Sequence, residues 1–124
     1  MKPLAAVPGV AISVKQVLYP QLDTSATELL HRQMRGPGAM LAVDLGSEER
    51  ARAVLGGFRL ATHAVSLGRF ETVVEHPARL THRIVESDGR AAGGVTDGLI
   101  RISVGLEHID DLAADLAESI DRAS

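Results

Sequence analysis

Apolar residues recur along this chain in two rhythms. Leu41, Val43 and Leu45 alternate with Met40, Ala42 and Asp44, which is the period of a strand, so Ala39 to Leu45 reads as extended. After Ser47 the spacing widens to Ala51, Val54, Leu55 and Phe58, the stripe of an amphipathic helix. Ser47 is its N-cap, Glu48 and Glu49 stand in the first turn where the positive helix end favours acids, and Gly56-Gly57 weaken its close. Ile12 to Leu18 reads as an earlier strand closed by Tyr19-Pro20. Ser25 and Glu28 have capping-box spacing, which predicts a helix over about Ala26 to Arg35 with Leu29, Leu30 and Met34 as its apolar side and Gly36-Pro37-Gly38 as its stop.

Further on, Leu60 to Val65 and Phe70 to Glu75 read as short extended pieces around a turn at Ser66 to Gly68, with Pro77 punctuating the next connection. Asp88 to Gly98 is rich in glycine and reads as a mobile loop. Leu99, Ile100, Ile102, Val104 and Leu106 make an apolar strand, with Arg101 and Ser103 on the other side of the pleat. Ile109, Leu112, Ala113, Leu116 and Ile120 then form a clear helical stripe begun by Asp110 and Asp111. No repeat and no composition break divides residues 1–124, so the chain reads as a single domain. The order of elements predicts an α+β fold: a small, mostly antiparallel sheet of about four strands with helices packed on one face.

Composition changes this picture mainly by exclusion. A chain of 124 residues can bury roughly two-thirds of the surface it exposes unfolded. With two Phe, one Tyr and no Trp its core must be aliphatic, and it offers no stacking platform for single-stranded nucleic acid. A net charge of -3 from interspersed acids and bases predicts no nucleic-acid partner. The absence of cysteine removes disulfides, thiolate zinc sites and thiol nucleophiles, and is compatible with a cytoplasmic setting. The N-terminal run is broken by Pro3 and Pro8 and ended by Lys15 and Gln16; it is too short for a membrane span and makes a poor secretory signal.

Among candidate chemical groups Arg101 stands first, because a planar guanidinium suits a carboxylate and is costly to bury without one. The plainer alternative is an exposed or structurally paired strand arginine. Ser66 places a hydroxyl and nearby backbone amides at a strand end, although most such serines are turn residues. His31, His63, His76, His82 and His108 have no metal-ligand spacing, so scattered histidines outweigh a metal site. SLGRF is not a G-x-S-x-G elbow, and no phosphate-binding glycine loop is present.

Four segments taken together add a resemblance. VLYPQL at Val17 to Leu22, RQMRGPGAMLAVDL at Arg32 to Leu45, AVSLGRFETVVEHPARLTH at Ala64 to His82 and DGLIRISVGLEHIDDLAADL at Asp97 to Leu116 resemble, in this order, the C-terminal domain of the Cys/Met-metabolism pyridoxal-phosphate enzymes. That family includes cystathionine γ-synthases, cystathionine γ-lyases and methionine γ-lyases. The resemblance implies that Arg101 grips the α-carboxylate of an amino-acid substrate, that Ser66 lines the same pocket, and that Thr81 of the T-H segment lies near it. It also implies pyridoxal phosphate in the complete enzyme, a cofactor-binding domain of the same family as partner, and a homo-oligomer without membrane contact.

Two departures and one absence qualify it. Arg69 stands where SLGG is usual, which questions close backbone approach at that turn. His108 stands where Asp is common, a change expected to touch capping more than catalysis. The only lysines are Lys2 and Lys15, and neither lies in the serine-rich segment that carries the family's Schiff-base lysine. The chain is therefore expected to supply the substrate clamp of a β/γ-elimination or γ-replacement enzyme, to bind no cofactor and to be inactive alone. The alternative is a stand-alone binding or oligomerisation module that keeps the fold.

Overall fold

A computed structural model describes residues 14–124. Five strands, β1 (Gln16–Leu18), β2 (Met40–Asp44), β3 (Thr62–His63), β4 (Val73–Glu75) and β5 (Leu99–Ser103), form one sheet in the order β1-β2-β5-β4-β3. All neighbours are antiparallel except β3 and β4. The α+β expectation holds, with one strand more than expected. The pieces flanking Ser66 to Gly68 form that fifth strand and the parallel pair, because residues 64–72 loop across the sheet instead of closing a hairpin. The first residues of the strand expected from Ile12, and the N-terminal run before it, lie outside the described residues.

Parity along the strands sorts the sheet into two faces. Val43 pairs with Ile100, and Leu41 and Val74 flank Ile102, so these side chains share the core face. On that face lie α2 (Glu48–Gly57), through Ala51, Val54 and Leu55, and α4 (Ile109–Arg122), through Leu116 and Ile120. Both predicted stripes therefore face the core, except Ile109 at the start of α4, which is exposed. Ser47 caps α2 by accepting from the Arg50 amide at 3.3 Å. His108 is the N-cap of α4, its Nδ1 accepting from the Asp110 amide at 3.3 Å, as expected of a residue that touches capping.

Gly57 contributes close approach as well as weak propensity, since a Cβ there would overlap the Ser119 hydroxyl and stand 3.2 Å from the Ser119 Cα. Asp115 reaches out from α4 to accept from the amides of Arg59 at 2.9 Å and Leu60 at 2.9 Å, which binds the exit of α2 to the last helix.

Two local expectations fail. The Ser25–Glu28 capping box does not form: Ser25 gives both its amide and its hydroxyl to Asp23, and Ala26 occupies the N-cap of α1 (Thr27–Gln33). An Asx-type turn has taken the serine, as local side-chain bonds compete for such residues. No residue of α1 is buried, so its apolar side is not a core face. The glycine-rich stretch from Asp88 holds a short helix, α3 (Ser87–Ala92). Arg90 secures it, donating to the Val85 carbonyl at 2.6 Å and to Asp97 at 3.0 Å, so tertiary contacts override a poor propensity.

Candidate functional site

The second face of the sheet carries the polar residues. In the ladder Ala42 pairs with Arg101 and Arg101 with Glu75, so these three residues lie in one row, two charged and one small. Arg101 is 24% exposed, whereas the Glu75 side chain is 1% exposed. Nη2 of Arg101 donates to the Ser66 carbonyl at 2.8 Å and stands 3.1 Å from Glu75 Oε2. That second contact is ionic without an aligned hydrogen bond: one Nη2–H is directed at Ser66, and Oε2 has no hydrogen-bond donor.

Glu75 Oε1 is held from the other side, accepting from the Thr81 hydroxyl at 3.0 Å. Thr81 Oγ1 also lies 3.0 Å from Nδ1 of His82. The three residues singled out in the sequence, Arg101, Ser66 and Thr81, are thus brought together. Ser66 meets Arg101 directly, and Glu75, read from the sequence only as the last residue of an extended piece, joins Arg101 to Thr81. A buried acid beside a strand arginine shows only once register is known, since 26 positions along the chain, the gap from residue 75 to 101, hide the pairing.

Ser66, expected to line the same pocket as Arg101, meets the guanidinium through its carbonyl. The turn that presents it is pinned down twice. Gly68 adopts φ 69°, a left-handed conformation suited to glycine, and its amide donates to Ser103 Oγ on β5 at 2.9 Å. Beyond the turn, Glu107 accepts from the Thr72 amide at 2.6 Å and the Thr72 hydroxyl at 2.8 Å. Partial desolvation raises the Glu107 carboxyl, and the Thr72 amide, its own amide and the Thr72 hydroxyl outweigh this and hold it below 4.5. Arg69, the departure from SLGG, needs no left-handed backbone and pairs outward with Glu71 at 2.7 Å.

The arginine keeps capacity to spare. Among the described residues Nε and Nη1 have no hydrogen-bond partner, and neither is sealed from solvent. A planar cation fixed at one nitrogen, with donors left over, is equipped to receive a carboxylate. A surface recess of about 520 Å³ beside Gln16, Leu18, Tyr19 and Leu22 shares no lining residue with this cluster. His76 is buried, with Nε2 2.8 Å from the Asp97 carbonyl; of the other histidines, His82 touches the cluster through Thr81. Among the described residues no three His, Cys, Asp or Glu side chains gather as metal ligands.

Comparison with known proteins bears on this site. The sequence profile of the Cys/Met metabolism PLP-dependent enzymes matches residues 5–121. An L-methionine gamma-lyase of Brevibacterium aurantiacum is 50% identical over 115 residues, covering 91% of this chain and 27% of the relative. A cystathionine gamma-lyase of Bacillus subtilis is 42% identical over 111 residues, covering 89% of this chain and 29% of the relative. Among solved structures, a cystathionine gamma lyase of Micromonospora echinospora superposes with a TM-score of 0.84 at 39% identity, over 95% of this chain and 30% of that one. The chain thus spans less than a third of the length of the relatives it matches.

Proposed function

Because the chain belongs to the Cys/Met metabolism PLP-dependent enzyme family, we propose that it is the substrate-carboxylate-binding portion of an enzyme that eliminates or replaces a group at the β or γ carbon of a sulfur amino acid. It corresponds on this reading to the C-terminal domain of such an enzyme and is not active alone. One observation carries the proposal: Arg101 is oriented by the Ser66 carbonyl and the buried Glu75, yet retains solvent-reached donors.

The described residues do not fit pyridoxal phosphate itself. Lys15, the lysine among them, precedes the edge strand β1 and pairs with Asp44 at 3.6 Å, far in sheet order from β4. The chemistry at the substrate carbon therefore rests with a cofactor carried by another portion of the enzyme. This chain's own contribution is positional. By gripping the α-carboxylate, Arg101 fixes how the substrate's Cα–H bond is presented, and orientation of this kind can account for a large share of a rate enhancement.

A second reading takes the Arg101–Glu75 pair as purely structural, within a stand-alone module; the burial of Glu75 favours it. One variant separates the two. With the cofactor-binding portion present, Arg101→Ala is expected to lower kcat/KM for the amino acid about 100-fold, mostly through KM, the loss typical of a charge-assisted carboxylate contact. Cofactor absorbance should persist. An unchanged KM rejects the clamp and leaves the structural reading.

A further inference from the structure

We infer that Glu75 is the positioning residue of the Arg101 clamp, acting through the geometry of its carboxylate and not through its charge; this rests on the reading that Arg101 binds the substrate carboxylate. Glu75 is 1% exposed, and its carboxylate contacts are Arg101 on one oxygen and Thr81 on the other. The β4–β5 register sets the two residues directly opposite each other, and the acid meets the arginine across the ladder at Nη2.

Its charge works against ligand binding. A carboxylate arriving at Arg101 meets a cation already balanced by Glu75, so the acid lowers the attraction it faces. What Glu75 adds is a second fixed point. With the Ser66 carbonyl alone, the guanidinium could swing about one hydrogen bond; Oε2, packed 3.1 Å from the same nitrogen, blocks that swing on one side. Thr81 completes the arrangement, because its hydroxyl holds Oε1 and so turns Oε2 toward Arg101. Oε2 is also a buried acceptor without an aligned donor, a costly state that is retained where a site is being set up.

The amide replacement Glu75→Gln can keep this shape. Its oxygen faces Arg101, its NH2 donates to Thr81 Oγ1, and the Thr81 hydroxyl turns to donate to His82 Nδ1, already 3.0 Å away. Loss of the side chain cannot be compensated in this way. Geometry and charge are thereby separable by experiment.

The test uses the assembled enzyme, this chain with its cofactor-binding portion, and compares L-methionine with L-methioninamide as substrate or competing ligand. Glu75→Ala is expected to raise KM, or the inhibition constant, for methionine about tenfold, with a smaller change in kcat, and to leave methioninamide unaffected. Glu75→Gln should recover most of that loss, and the pair Glu75→Ala with Arg101→Ala should be no worse than Arg101→Ala alone. If Arg101→Ala weakens methionine binding and Glu75→Ala does not, the positioning role is overturned while the clamp stands. If Arg101→Ala has no effect, the clamp itself falls. Equal losses for methionine and methioninamide, or failure of Gln to rescue, also overturn the inference. Should Glu75→Ala fail to fold, Thr81→Val provides the same reading: a rise of about three- to tenfold for methionine alone supports it, and no rise overturns it.

Discussion

Arg101 and Glu75 illustrate how one residue can be conspicuous and its partner silent. A guanidinium in an apolar strand draws notice at once, whereas a glutamate closing VVE looks like an ordinary strand end. Because the arginine is held as a planar donor, Arg101→Lys is expected to recover less than a tenth of the activity lost in Arg101→Ala, measured as kcat/KM; a lysine supplies a point charge without the fork. Glu107 gives a second prediction at this scale. Its carboxyl is held below 4.5, so its stabilisation is complete above 4.5 and disappears as the pH falls through the lowered folded value. Stability of Glu107→Gln, followed by urea unfolding, should therefore fall less than that of the parent as the pH drops through the lowered folded value, and be lower than the parent's at neutral pH. A parallel pH dependence in the two would reject the role given to the Thr72 bonds. Neither Glu107 nor Thr72 carries a signal in the sequence, since 35 residues separate them.

At the scale of elements, the packing of α2 on α4 turns on Gly57. A methyl group there meets Ser119, whose hydroxyl donates to the Val54 carbonyl, and neither backbone can withdraw without opening the core around Leu55 and Ile120. Gly57→Ala is expected to cost about 1–3 kcal/mol despite the better helix propensity of alanine, as seen in the midpoint of chemical unfolding. A gain in stability would show that propensity governs. The helical stripes of α2 and α4 and the alternation of β2 were legible because each buries one face, and burial imposes a period. The helix α3 and the failed capping box were not. Both depend on which of several polar partners a short, exposed segment finds, Arg90 with Asp97 in one case and Ser25 with Asp23 in the other.

For the whole molecule, the apolar surface beside the site bears on the proposed role. Phe70 is 72% exposed and Leu106 87%, and the Leu106 amide donates to the Phe70 carbonyl at 2.7 Å, so the two segments are neighbours. Val65 and Leu67 extend the exposed apolar residues along the same loop. Large side chains left in water next to the proposed substrate clamp suit a surface that packs against the cofactor-binding portion the proposal requires. The chain and a separately produced cofactor-binding portion are expected to co-elute as a complex, and Phe70→Ser with Leu106→Ser to abolish it. Independent elution of the parent pair would count against the portion reading. By itself the sequence determined the class of fold, both core helices and the central strands, because periodic burial is a local property, and it drew notice to Arg101 by its chemistry; Ser66 and Thr81 became pocket candidates through the resemblance to a family. Only the tertiary structure decided that Arg101 meets both the Ser66 carbonyl and Glu75, that Glu75 meets Thr81, and that the sheet closes on a parallel pair. Those outcomes depend on strand register and on a loop crossing the sheet, which arise from contacts between residues distant along the chain.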